Sequence, residues 1–111
     1  MGLSTHILDT NLGRPAANVA VTLSVFRDDA WHRVGSALTD SDGRCRTLLG
    51  GHDLIAANYK LHFDTGAYFR AQNTAMLYPY VEIVFAVAEP AQHFHIPLLL
   101  SANGYSTYRG S

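Results

Sequence analysis

A chain of 111 residues, 48% hydrophobic and 15% charged, carries enough apolar material for one compact core and little for a second module. Its formal charge of -1, from eight basic and nine acidic residues with no cationic block, lacks the electrostatic footprint that a phosphate backbone or an anionic lipid surface needs. The single cysteine, Cys45, excludes an internal disulfide and a metal site built of several thiolates, and no apolar run approaches the roughly 20 residues of a membrane-spanning helix.

Along the chain, Met1-Gly-Leu-Ser-Thr-His6 lacks the cationic and apolar regions of a secretory signal, so a soluble cytoplasmic protein of one domain, residues 1–111, is expected, with neither nucleic acid nor membrane as partner. Ser4 to Asp9 reads as a short strand, and Thr10-Asn-Leu-Gly-Arg-Pro15 as a connection. Asn18 to Arg27 alternates, with Val19, Val21, Leu23 and Val25 on one face and Ala20, Thr22, Ser24 and Phe26 on the other. Asp28-Asp29 turns the chain into a strand over Trp31 to Leu38, and Thr39-Asp-Ser-Asp-Gly43 is a cluster of turn formers. Tyr59 to Asp64 alternates again. Thr65 to Gln72 then tolerates a helix, with Thr65 as a candidate cap and Asn73 as its break. Val81 to Val87, His95 to Ser101 and Tyr105 to Arg109 complete the strands, the last two joined by an Ala102-Asn103-Gly104 turn. The pattern predicts an all-β, antiparallel two-sheet sandwich of seven to eight strands with one short helix.

Six histidines raise the question of a metal, and His93-Phe-His95 sets two imidazoles on one face of a strand. The third ligand would have to be the remote His6, so the spacing is permissive rather than diagnostic. His32, His52 and His62 read as surface or rim residues. His6 and His95 differ, because alternation sets each beside apolar residues: Ser4, His6 and Leu8 share one face, as do His95, Pro97 and Leu99. A histidine in such company is more often a hydrogen-bonded structural group than a base. If both met near Arg44 or Arg109, however, they would deprotonate a water and stabilise an oxyanion. Arg44, following Asp42-Gly43, reads from local sequence as a solvated charge. The tail Gly104-Tyr-Ser-Thr-Tyr-Arg-Gly-Ser111 is unusual for a chain end: it reads as a strand that brings the terminus opposite a histidine, with an arginine able to grip a planar imide or carboxylate. No G-x-S-x-G elbow surrounds Ser111, which favours water over serine as a nucleophile.

Leu3-Ser-Thr-His-Ile-Leu-Asp-Thr10 with Gly13-Arg-Pro-Ala16, Thr39-Asp-Ser-Asp-Gly-Arg44, His95-Ile-Pro-Leu-Leu-Leu-Ser101 and Tyr108-Arg-Gly-Ser111 resemble the 5-hydroxyisourate hydrolases, the transthyretin-related enzymes of purine catabolism. The resemblance spans the chain, and the terminal tetrapeptide separates the enzymes from hormone-carrying transthyretins. It implies a transthyretin-like sandwich, edge-to-edge dimers and a homotetramer whose central channel holds the sites. It further implies His6, Arg44 and His95 as the catalytic set, completed by Tyr108, Arg109, Gly110 and Ser111, and hydrolysis of 5-hydroxyisourate without a cofactor or metal. Ala102-Asn103 stands where the family commonly has a proline-containing turn. A carrier of a planar ligand on the same scaffold, and a metal-dependent hydrolase using His6, His93 and His95, are the rival expectations.

Overall fold

The computed structural model describes residues 2–110. In chain order the elements are β1 (Gly2–Asp9), β2 (Arg14–Pro15), β3 (Ala20–Arg27), β4 (Ala30–Leu38), β5 (Arg44–Cys45), β6 (Ala57–Phe63), α1 (Thr65–Ala71), β7 (Val81–Val87), β8 (His93–Leu100) and β9 (Tyr105–Thr107). They form a five-stranded sheet, in which β2, β1, β8 and β9 lie in that order with β5 also on β1, and a four-stranded sheet of order β4, β3, β6, β7.

Alternation decides which face of each strand is buried. Val21, Leu23 and Val25 of β3 meet Tyr59, Leu61 and Phe63 of β6 on the inner side of one sheet. Leu3 and Ile7 of β1, with Phe94, Ile96, Leu98 and Leu100 of β8, form the inner side of the other. Together they make one hydrophobic cluster. The predicted two-sheet sandwich with one helix is what the chain adopts, and the expected inward sets of Asn18–Arg27 and Tyr59–Asp64 are the ones buried.

Three local differences have physical causes. First, β1 and β8 pair in parallel, from Gly2 opposite His93 to Asp9 opposite Leu100. Periodicity tells which face of a strand is apolar but not which strand lies beside it. Second, β2 and β5 are two-residue strands whose membership comes from pairing with β1 and not from any pattern of their own. Third, Asp64 rather than Thr65 caps α1: its Oδ1 accepts from the Ala67 N–H at 3.4 Å, while Thr65 is fully buried inside the first turn. A carboxylate one residue earlier reaches the free amides of the first turn, so the helix starts there.

The turns that aim the site follow the expected chemistry. Asp28 and Asp29 both take positive φ, 52° and 59°, which is the backbone of a two-residue hairpin loop matched to strand twist. In the 40–44 turn, Asp40 Oδ1 accepts from Asp42 N at 2.9 Å and Arg44 N at 3.0 Å. These backbone donors, Arg44's above all, hold the exposed Asp40 carboxyl below its ordinary range. Gly43 turns with φ of 75°, and its carbonyl accepts from Ile7 N at 2.8 Å. That bond pins the turn to β1, so the residue after it enters a strand.

Candidate active site

The outer face of the five-stranded sheet collects the polar residues that alternation turns away from the core. On β1 these are Ser4 and His6, both half-buried. Arg44 of β5 lies directly opposite His6 in an antiparallel pair, so the two side chains leave the sheet on the same side. Across the parallel pair, Ser4 is opposite His95 and His6 opposite Pro97. His6 and His95 are thus diagonal neighbours, with Arg44 flanking His6. Three stretches of chain far apart in sequence converge on one patch.

His95 is the most tightly held member. Its Nδ1 lies 2.8 Å from Ser4 Oγ, and the same hydroxyl lies 3.2 Å from His93 Nε2. Burial, followed by the charge of Arg44 and the neighbouring His6 and His93, holds the His95 imidazole below its usual value, and a hydrogen bond to the Ser4 backbone partly opposes this. The ring is therefore neutral over more of the pH range than a free histidine, the state in which it accepts a proton.

The tail closes the far side of that ring. Ser101 N donates to the Gly104 carbonyl at 2.9 Å, and β9 runs back along β8 with Thr107 opposite Leu98. Beyond β9 the tail touches β8 once more: Gly110 N donates to the His95 carbonyl at 2.8 Å. A Cβ at Gly110 would come within 2.5 Å of His95 Cδ2, so glycine is what permits this approach. The turn lacking proline still forms a hairpin.

The remaining tail residues point elsewhere. The Arg109 guanidinium lies 4.4 Å from the centre of the Phe94 ring and donates to Gln92 Oε1 at 2.9 Å. Phe94 belongs to the inner face of β8 and His95 to the outer, so Arg109 is turned away from the patch within one chain. Tyr108 is exposed and lines, with Ile83, Phe85 and Arg109, a groove of about 220 Å³ between β7 and the tail. Ser111 lies outside the described residues.

Ser4 and His93 were not singled out as working parts of this cluster in a cofactor-free reading, although alternation already put Ser4 on the face of His6 and His93 on the face of His95. His62 is instead 2.8 Å from Glu82 on the other sheet. Among the described residues no group of three or more His, Cys, Asp or Glu is arranged to hold a metal ion. Cys45, opposite Thr5, faces inward, and burial pushes its thiol up to about 11, which keeps it a poor nucleophile.

The HIUase/Transthyretin family model matches residues 3–110. A probable 5-hydroxyisourate hydrolase of Caenorhabditis elegans is 41% identical over 109 residues, covering 98% of this chain and 81% of its own. The 5-hydroxyisourate hydrolase of Mus musculus is 42% identical, covering 98% and 94% respectively. Among solved structures, sea bream transthyretin in complex with thyroxine superposes with a TM-score of 0.92 at 31% identity, over 99% of this chain and 95% of that one. Klebsiella pneumoniae 5-hydroxyisourate hydrolase does so with a TM-score of 0.83 at 35% identity, over all of both chains. Whole-chain similarity in both sequence and fold leads to one conclusion: this chain belongs to the HIUase/Transthyretin family.

Proposed function

We propose that this protein hydrolyses 5-hydroxyisourate to 2-oxo-4-hydroxy-4-carboxy-5-ureidoimidazoline, with His6, Arg44 and His95 as the catalytic residues. The carrying observation is the patch itself: two imidazoles and a guanidinium on one sheet face, one imidazole held below its usual basicity. Fold alone does not decide, because transthyretin shares it. A carrier of a planar ligand has no use for a half-buried base beside a cation, whereas a hydrolase needs both.

In the proposed reaction a water gives its proton to one imidazole of the pair and attacks the C6 carbonyl. The tetrahedral oxyanion collapses with cleavage of the N1–C6 bond, N1 leaves with a proton as the end of the ureido group, and C6 becomes a carboxylate that stays on the remaining ring. Arg44 opposes the negative charge that develops, an interaction of about 3 kcal/mol for a well-aligned donor. The family resemblance assigns Tyr108, Arg109, Gly110 and Ser111 to substrate binding, and of these Gly110 lies against His95 within one chain. In this reading Gly110 lets the tail lie against His95, and Arg109, stacked on Phe94, anchors that tail. No metal or cofactor takes part.

One protomer leaves the patch partly open to solvent, with the half-buried Leu8 and Leu99 beside it. Attack on an amide carbonyl benefits from exclusion of bulk water. We therefore include in the reading a homotetramer in which a second copy covers this face.

The test is to follow absorbance of freshly generated 5-hydroxyisourate with and without protein. Decay should accelerate well beyond the spontaneous rate, and His6→Ala should lower kcat by about a hundredfold or more. A parent protein that leaves the spontaneous rate unchanged, or a His6→Ala variant as fast as the parent, would mean a carrier instead.

A further inference from the structure

We propose that Ser4 is a positioning residue which, with His93 as its terminal acceptor, decides which nitrogen of His95 carries the proton; this rests on the reading of His95 as a group that handles the attacking water. Ser4 Oγ is shared between two rings, at 2.8 Å from His95 Nδ1 and 3.2 Å from His93 Nε2. A serine hydroxyl has one proton and two lone pairs. It cannot donate to both rings, so at least one of them must donate to it.

Two arrangements use every partner. In the first, His95 Nδ1–H donates to Ser4 Oγ and the Ser4 hydroxyl donates to His93 Nε2, which leaves His95 Nε2 with a bare lone pair. In the second, His93 Nε2–H donates to Ser4 and Ser4 donates to His95 Nδ1, which leaves His95 Nε2 protonated and unable to accept. The Arg44 charge, acting on His95 from β5, favours a lone pair over an N–H dipole on the open side of the ring, and so favours the first arrangement. Ser4's backbone adds a hydrogen bond in the sense that favours a proton on the ring nitrogen it meets.

The same contacts fix the ring's flip. Ser4, His95 and Gly110 lie in a row across three neighbouring stretches of backbone. The Nδ1 edge faces Ser4, and the Cδ2 edge faces Gly110. Turning the ring over would bring carbon against the serine hydroxyl and lose the bond. Nε2, next to Cδ2, is left for the site.

The titratable and charged groups acting on His95 are His6 on β1, Arg44 on β5 and His93 on its own strand, while on the tail side Gly110 carries none and Arg109 is engaged with Phe94 and Gln92.

The experiment pairs 15N imidazole spectra, which report tautomers without substrate, with steady-state kinetics on 5-hydroxyisourate. In the parent, His95 should be protonated at Nδ1 and bare at Nε2. Ser4→Ala should give a mixture of tautomers and a kcat lower by roughly tenfold to a hundredfold, with KM within about twofold. Ser4→Thr, which restores the hydroxyl, should recover both readouts. His93→Gln, whose amide oxygen still accepts from Ser4, should hold the tautomer. A parent His95 protonated at Nε2, or a Ser4→Ala spectrum and kcat equal to the parent's, overturns the proposal. Should Ser4→Ala not fold, the Ser4→Thr and His93→Gln spectra decide it. A parent without hydrolase activity would defeat the proposed function and leave the spectra to judge the tautomer; an active parent with Ser4→Ala unchanged would defeat only the role of Ser4.

Discussion

The ring of His95 answers to burial first, then to Arg44, and only then to His6 and His93. Each influence favours the neutral form, so the fold binds a proton at this ring less readily than the unfolded chain does. The stability associated with neutral His95 is complete above the ordinary histidine value and is lost as pH falls through the lowered one. Arg44→Gln removes the largest charge contribution. It should move the His95 titration, followed by NMR, and the acid limb of kcat/KM upward toward the ordinary value, soften the acid loss of stability, and lower kcat by about a hundredfold. An unmoved titration would mean that the guanidinium does not act on the ring. Arg44 is also where local sequence misleads. After Asp42-Gly43 it reads as a solvated charge, and only its place opposite His6 gives it company. Arg109 shows the reverse: an eye-catching cation at the chain end occupies itself with Phe94 and Gln92.

Among the elements, α1 is held by more than its cap. The Tyr68 hydroxyl donates to Asp9 Oδ2 at 2.7 Å, and Asp9 Oδ1 accepts from Leu12 N at 3.0 Å. Asp9 is fully buried at the end of β1, so the helix is tied to the strand that carries Ser4 and His6. Burial, with help from Asp9, pushes the Tyr68 hydroxyl up, which keeps it a donor at neutral pH. Tyr68→Phe would leave a buried carboxylate oxygen without its partner and should lower the unfolding free energy by about 1–3 kcal/mol in denaturant titration. A change within about 0.3 kcal/mol would mean that the bond is replaced at no cost. The strands themselves were legible, because Val81–Val87 and the alternating runs over 18–27 and 59–64 announce their period. The two-residue β5 was not, since so short a strand has no period, although its place after an Asp-Gly turn was visible. Capping by Asp64 was legible in kind and missed by one residue, because Asp and Thr are both good caps and the tertiary setting of Thr65 decided between them.

For the molecule as a whole, the unpaired edges matter. β7 ends its sheet with seven residues of strand, and Val84 on it is 58% exposed. A free strand of that length is a template for a second copy. If the proposed homotetramer forms through it, sedimentation should show a particle of four 12.2 kDa chains. Val84→Asp sets a second carboxylate beside Glu82 on that edge and should shift the distribution toward smaller species while the circular dichroism spectrum holds. A parent sedimenting as one chain would remove the covered channel from the proposed function.

What the sequence determined by itself was the sandwich, the inward sets and the two histidines set apart from the other four, because period-two alternation is local and any reader of neighbouring residues can see it. The tail read as a strand opposite a histidine on its own residues, and motif resemblance added the site roles of Arg44 and of the last four residues. The parallel pairing of β1 with β8, the diagonal of His6 and His95, the Ser4 hydroxyl between two rings and the turning away of Arg109 were decided by tertiary structure alone. They depend on which strands become neighbours and in what register, and that choice is made by the packing of two sheets against one core, not by any segment acting alone.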